Sequence, residues 1–171
     1  MSSYHGWTHA PKRDGGTDPI PGMHGVRATI LSTAAKNFDS SIPGNSHEWK
    51  SPFVAGSTTA EIDDPAVIEA DEIGFLFHKL GAYLVALDFD FTTLFAQYVA
   101  ATLTPADPTD FLCGAHIAVG PNTDGPASVS GASVCHVFVV ISAPASVTVA
   151  AIQKSGATRV IDYASAVAVK L

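Results

Sequence analysis

Apolar and polar positions alternate most regularly in the stretch "GAYLVALDFDFTT", residues 81–93. Tyr83, Val85, Leu87, Phe89 and Phe91 share one parity, and Leu84, Ala86, Asp88 and Asp90 share the other. A period of two predicts a β-strand with one aromatic face and one face that turns acidic; a helix would scatter both sets. Five further strands are predicted: "TLFAQYVAATL" over 93–103, "FLCGAHIAV" over 111–119, "SVSGASVCHVFVVI" over 128–141, "SVTVAAIQK" over 146–154 and "YASAVAVKL" over 163–171. Turn-forming stretches separate them: "TPADPTD", "GPNTDGP", "SAPA" and "KSGAT". Short strands at this spacing are the pattern of an all-β sandwich or barrel. Residues 59–74, "TAEIDDPAVIEADEIG", hold six acids and no base. They read as a solvated acidic loop leading into a strand at "IGFLFHK", in preference to a helical turn after Pro65.

The first 45 residues follow a different grammar. They contain six glycines and four prolines (Pro11, Pro19, Pro21, Pro43). Proline fixes its own φ and pushes the preceding residue toward extended geometry, so "GTDPIPG" reads as a stiffened, extended segment. The expected division is therefore an extended arm over 1–45 and a β-sandwich over 46–171. Residues 4–25 hold Trp7 and Ile20 with no local core to bury them. An indole is a frequent interface anchor, and a stiffened segment loses less entropy on docking than a flexible one. Trp7, Asp18, Pro19, Ile20 and Pro21 are the expected docking residues, with Lys12 and Arg13 at the rim.

Composition narrows the choice of function. The chain has 171 residues, 47% of them hydrophobic, which is enough for one domain with a sizeable core. Charged residues make up only 15%, below the ~25% usual for soluble domains, and this points to surface hidden in an oligomer. The net charge is −7; the first 45 residues carry four bases and three acids, which leaves −8 on the remainder. An acidic body argues against nucleic acid as a partner. The amino terminus lacks an apolar signal-peptide core, and the longest apolar run, "VCHVFVVISAPASVTVAAI", is too interrupted to span a membrane.

No catalytic constellation emerges. "SVSGASV" is not a nucleophile elbow, and neither Asp63 with Asp64 nor Asp88 with Asp90 forms a facing carboxylate pair of the glycosidase kind. His5 and His9 lie four apart, but Gly6 and the lack of helical pattern favour polar contacts over a metal site. His78, His116 and His136 read as core or interface residues. The oxygen-rich loops "DPTD" and "NTDG" lack calcium-loop spacing. Cys113 and Cys135 are expected to be buried thiols rather than a disulfide. No catalytic residue, metal or cofactor is expected.

Two resemblances sit on these residues. "GAYLVALDFDF", "CHVFVVISAPASVTVAAIQKSG" and the terminal "YASAVAVKL" resemble the jelly roll of the tumour-necrosis-factor and C1q-like superfamily. That likeness implies a homotrimer with the last strand near the threefold axis, using Tyr83, Phe89, Phe91, Val167, Val169 and Leu171 at the subunit contact. The segment "WTHAPKRDGGTDPIPG" is similar to amino-terminal segments of tailed-phage virion proteins. Together they imply a non-enzymatic virion structural protein, either a minor tail or short fibre protein or a capsid decoration protein. Its arm would dock on other virion proteins, and its trimeric body would project outward, with a host-surface glycan as a candidate ligand. The rival reading is a carbohydrate-binding or carbohydrate-processing jelly roll. It needs an aromatic platform, for which Trp49, Tyr98 and Tyr163 are the spare residues.

Overall fold

The computed structural model describes residues 25–39, 49–95, 99–112, 117–119 and 129–171. Among the described residues eleven strands appear in chain order: β1 (Arg27–Ser32), β2 (Lys36–Phe38), β3 (Thr59–Ile62), β4 (Ile68–Ala70), β5 (Gly74–Phe77), β6 (Gly81–Phe95), β7 (Val99–Pro105), β8 (Ile117–Val119), β9 (Val129–Val140), β10 (Ala145–Gln153) and β11 (Arg159–Lys170). Sheet A has the order β3-β1-β11-β6-β9, with β2 also paired to β11; sheet B has the order β4-β5-β10-β7-β8. All pairings are antiparallel. From β5 to β11 the chain crosses between the sheets repeatedly, and no neighbours within sheet A from β1 to β9 are consecutive in sequence. The fold is a jelly-roll β-sandwich.

The aromatic parity of β6 builds the core. Tyr83, Val85, Leu87 and Phe89 have no exposed surface, and Phe91 has 3%. Phe77 stacks on Tyr83 at 4.2 Å, Phe89 meets Phe91 edge-on at 5.7 Å, and Phe38 meets Phe91 at 6.1 Å. The Tyr83 hydroxyl donates to the Lys79 carbonyl at 2.7 Å, so the buried phenol keeps a partner. From sheet B, Phe75, Phe77, Val147, Val149 and Leu103 close the same core.

Several expectations need correction. The division at residue 45 is too late. β1 and β2 belong to the sandwich, β1 lies between β11 and β3, and Ala28 and Ile30 are fully buried. The alternation Ala28/Ile30 against Thr29/Leu31 is short, and it is embedded in proline- and glycine-rich sequence that obscures it. Residues 93–103 are not one strand: β6 runs on to Phe95 and β7 begins at Val99. No glycine or proline marks that change of direction. The acidic stretch 59–74 is not only loop, because it contains β3 and β4. Its acids shape the turns between them. Asp64 Oδ1 accepts from the Ala66 amide, and Asp71 Oδ1 accepts from the amides of Ile73 and Gly74.

Candidate functional site

The sandwich has two outer faces, and the candidate residues distribute between them. On sheet A the strand register places outward side chains in rows. Arg27, Val169, Leu84 and Val137 form one row, and Thr29, Val167, Ala86 and Cys135 form the next. Leu31, Ser165, Asp88 and Ser133 follow, then Tyr163, Asp90 and Gly131. At the opposite end Ala82 faces Val139, and the Leu171 amide donates to the Ala82 carbonyl at 2.9 Å. The outside of an antiparallel sheet is ordinarily polar. Here it is aliphatic from its centre to this end, with Val137 at 40% exposure and Leu171 at 68%. Its far end is acidic, and Asp88 and Asp90 are exposed there. The Asp88 pKa is raised, first by desolvation and second by the neighbouring Asp90 charge.

Of the residues expected at a subunit contact, Val167, Val169 and Leu171 lie on this face, but Tyr83, Phe89 and Phe91 do not. Those three are enclosed in the core of one chain and present no surface to a partner. The parity that makes them the aromatic stripe also turns them inward, and their neighbours Leu84 and Ala86 occupy the outer face instead. Cys135 is likewise exposed and free rather than buried, because Val134 and His136 take the inward parity around it. Cys113, His116, Tyr98 and the loop "NTDG" lie outside the described residues. So do the arm residues Trp7, Lys12, Arg13, Asp18, Pro19, Ile20 and Pro21 with His5, His9 and His24.

The outer face of sheet B differs in chemistry. Thr104 and Thr148 are paired across β7 and β10, and Thr102 pairs with Ala150. The hydroxyls of Thr102 and Thr104 lie 3.2 Å apart, and Thr148 Oγ1 donates to the Thr104 carbonyl at 3.1 Å. These threonines line a groove of about 400 Å³ with Trp49, Ser51 and Ile73. A second depression of about 270 Å³ meets it at Ile73 and Thr148 and runs to Glu69 and Asp71.

The segment carrying Trp49 is fastened at several points. Lys50 exchanges backbone hydrogen bonds with Ala151 of β10 at 3.0 and 2.8 Å. The Lys36 ammonium donates to the carbonyls of Ser51 and Phe53 at 2.6 and 2.5 Å. Desolvation by burial, followed by the charge of Lys50, lowers the Lys36 pKa. Ser51 Oγ donates to the Glu72 carbonyl, and Phe53 is buried.

The remaining candidates have local roles. Asp107 of "DPTD" accepts from the amide and hydroxyl of Thr109, capping the 3-10 turn Pro108–Asp110, and these bonds lower its pKa. His78 Nε2 lies 3.1 Å from Glu69, and His136 packs edge-on against Phe138 at 4.8 Å. Asp63 accepts from the Arg27 amide at 3.0 Å. Among the described residues no three His, Cys, Asp or Glu side chains gather as a metal site. Spacing alone does not reveal the threonine array, which the antiparallel pairing of β7 and β10 brings together across the sheet.

No family model matches the chain, and no curated protein is similar to it in sequence. Solved structures do share the architecture. Vertex protein P5 of PRD1 superposes with a TM-score of 0.53 at 12% identity, over 85% of this chain and 96% of that one. The Eiger TNF of S. frugiperda gives a TM-score of 0.47 at 10% identity, over 86% and 93%. At 12% identity the likeness to the vertex protein is one of fold.

Proposed function

We propose that this chain is a non-enzymatic virion structural protein whose jelly-roll body self-associates as a trimer through the outer face of sheet A. The observation that carries the reading is the aliphatic surface made by Leu84, Ala86, Val137, Val139, Val167 and Val169. Exposed contiguous apolar surface is a hallmark of interaction sites, and the low charge fraction of the chain agrees with it. Closed cyclic symmetry satisfies such a patch without leaving an open edge. The fold shared with a vertex protein of PRD1 supports a place on a virus particle.

Within this reading residues 4–25 form the attachment arm. At about 3.3–3.6 Å per residue, some twenty extended residues reach roughly 70 Å, far enough to meet a neighbouring virion protein. Trp7 fills an apolar pocket there, and the body projects toward the host surface.

The deciding experiment is a mass measurement of the full chain at micromolar concentration, alongside Val137→Asp. A trimer that the substitution converts to folded monomer supports the reading, and a wild-type monomer overturns it. For the arm, a chain starting at Gly25 should fold and trimerise but fail to join particles. Particles that incorporate it normally would remove the arm from the mechanism.

A further inference from the structure

We propose that the groove on the outer face of sheet B binds a neutral oligosaccharide. The inference rests on the attachment reading only for its biological setting; the groove itself belongs to a single chain and lies on the face opposite the proposed assembly surface. Three features point to the ligand class.

The first is chemical pairing. A saccharide presents hydroxyls that both donate and accept, together with apolar C–H faces. Thr104 and Thr148, half-buried and paired across β7 and β10, offer hydroxyls at one place, whereas Thr102 beside them is buried, and Trp49 and Ile73 supply apolar contact. A threonine hydroxyl has one donor and two acceptor sites, so one that bonds within the sheet still has capacity for a ligand. Ile73 is 57% exposed, so its side chain is open to a ligand at the junction of the two depressions.

The second is charge. The two depressions meet at Ile73 and Thr148, and the far end carries Glu69 and Asp71 with no basic side chain among the lining residues. Carboxylates accept hydrogen bonds from sugar hydroxyls, whereas they repel phosphate, sulfate and sialic acid. The groove therefore selects for uncharged sugars. The third is preorganisation. The Lys36 ammonium, the Lys50–Ala151 pairing and the buried Phe53 hold the Trp49 segment against the sheet. A ligand then binds without ordering a loop. The combined groove is within the ~300–1,000 Å³ range of small-molecule sites.

Binding of the full chain to lactose, maltotriose and chitotriose, each free in solution, is the test, read by saturation-transfer NMR and titration calorimetry. Sialyllactose and a sulfated disaccharide serve as charged comparisons. We expect at least one neutral sugar to bind in the millimolar range or tighter and the charged sugars to bind more weakly. Trp49→Ala should weaken binding by roughly tenfold or more, with Trp49→Phe recovering part of it. Thr148→Val, which preserves shape, should weaken binding about threefold to tenfold in a chain that stays folded, with a melting temperature lowered by the lost bond to the Thr104 carbonyl. Because soluble sugars report on one chain, a monomeric protein that still binds separates this site from the assembly reading. Absence of binding to every neutral sugar, preference for the charged ones, or binding indifferent to both Trp49→Ala and Thr148→Val overturns the proposal.

Discussion

The two outer faces of this sandwich are built from the same kind of strand and reach opposite solutions. On sheet A the outward positions of β6, β9 and β11 are Leu84, Val137, Val139, Val167 and Val169. On sheet B the outward positions of β7 and β10 include the half-buried Thr104 and Thr148, with Thr102 of the same parity buried. Both sheets cover one core, so packing does not require the difference. An aliphatic exterior gains free energy when another surface removes it from water. A hydroxyl-lined exterior is already compatible with water and gains from a ligand that makes directional bonds. One face thus suits a broad dry contact and the other a small polar guest.

This contrast can be broken experimentally, beginning with the largest effect. Phe89→Ala, on the inner side of β6, should cost about 3–5 kcal/mol in chemical denaturation, because it opens a cavity in a fully buried cluster. A small effect there would mean that β6 is not the wall between core and exterior. Next, Lys36→Ala should cost about 1.5–3 kcal/mol by removing a charged donor from two backbone carbonyls. It should also weaken sugar binding while leaving the oligomeric state unchanged. An equal loss of assembly would show that the two faces are not independent.

Val137→Asp should change the unfolding free energy of the monomer by no more than about 0.5 kcal/mol, as exposed substitutions do, yet abolish self-association in a sedimentation experiment. The smallest effect concerns Asp88. Its pKa is raised in the folded chain, so the folded state disfavours the carboxylate. The protonated form is favourable below the ordinary value of 3.8, and that benefit disappears as pH rises through the raised folded value. Asp88→Asn should therefore stabilise the chain at neutral pH, by under about 0.5 kcal/mol after solvent screening. The difference should vanish in melting curves at strongly acid pH. A gain that persists in acid would assign the effect to something other than charge.

The period-two pattern in residues 81–93 determined β6, and with it the grouping of Tyr83, Val85, Leu87, Phe89 and Phe91 on one face, because strand geometry admits only two faces. β9, β10 and β11 were legible within a few residues for the same reason. The terminal "AVAVKL" was recognisable as a strand with Val167, Val169 and Leu171 on one side. Which parity points outward is not legible from alternation, and the aromatic stripe belongs to the core and not to the outer face. Alternation labels two faces without saying which meets the opposite sheet and which meets another molecule. β1 is not legible in the sequence because Ala28 and Ile30 are too few to form a period, and only pairing with β11 and β3 makes them core. Nor could spacing assemble Trp49, Thr104 and Thr148, which stand far apart along the chain. The crossed order of strands brings them to one groove, since hydrogen bonding between β7 and β10 sets their register and local sequence does not.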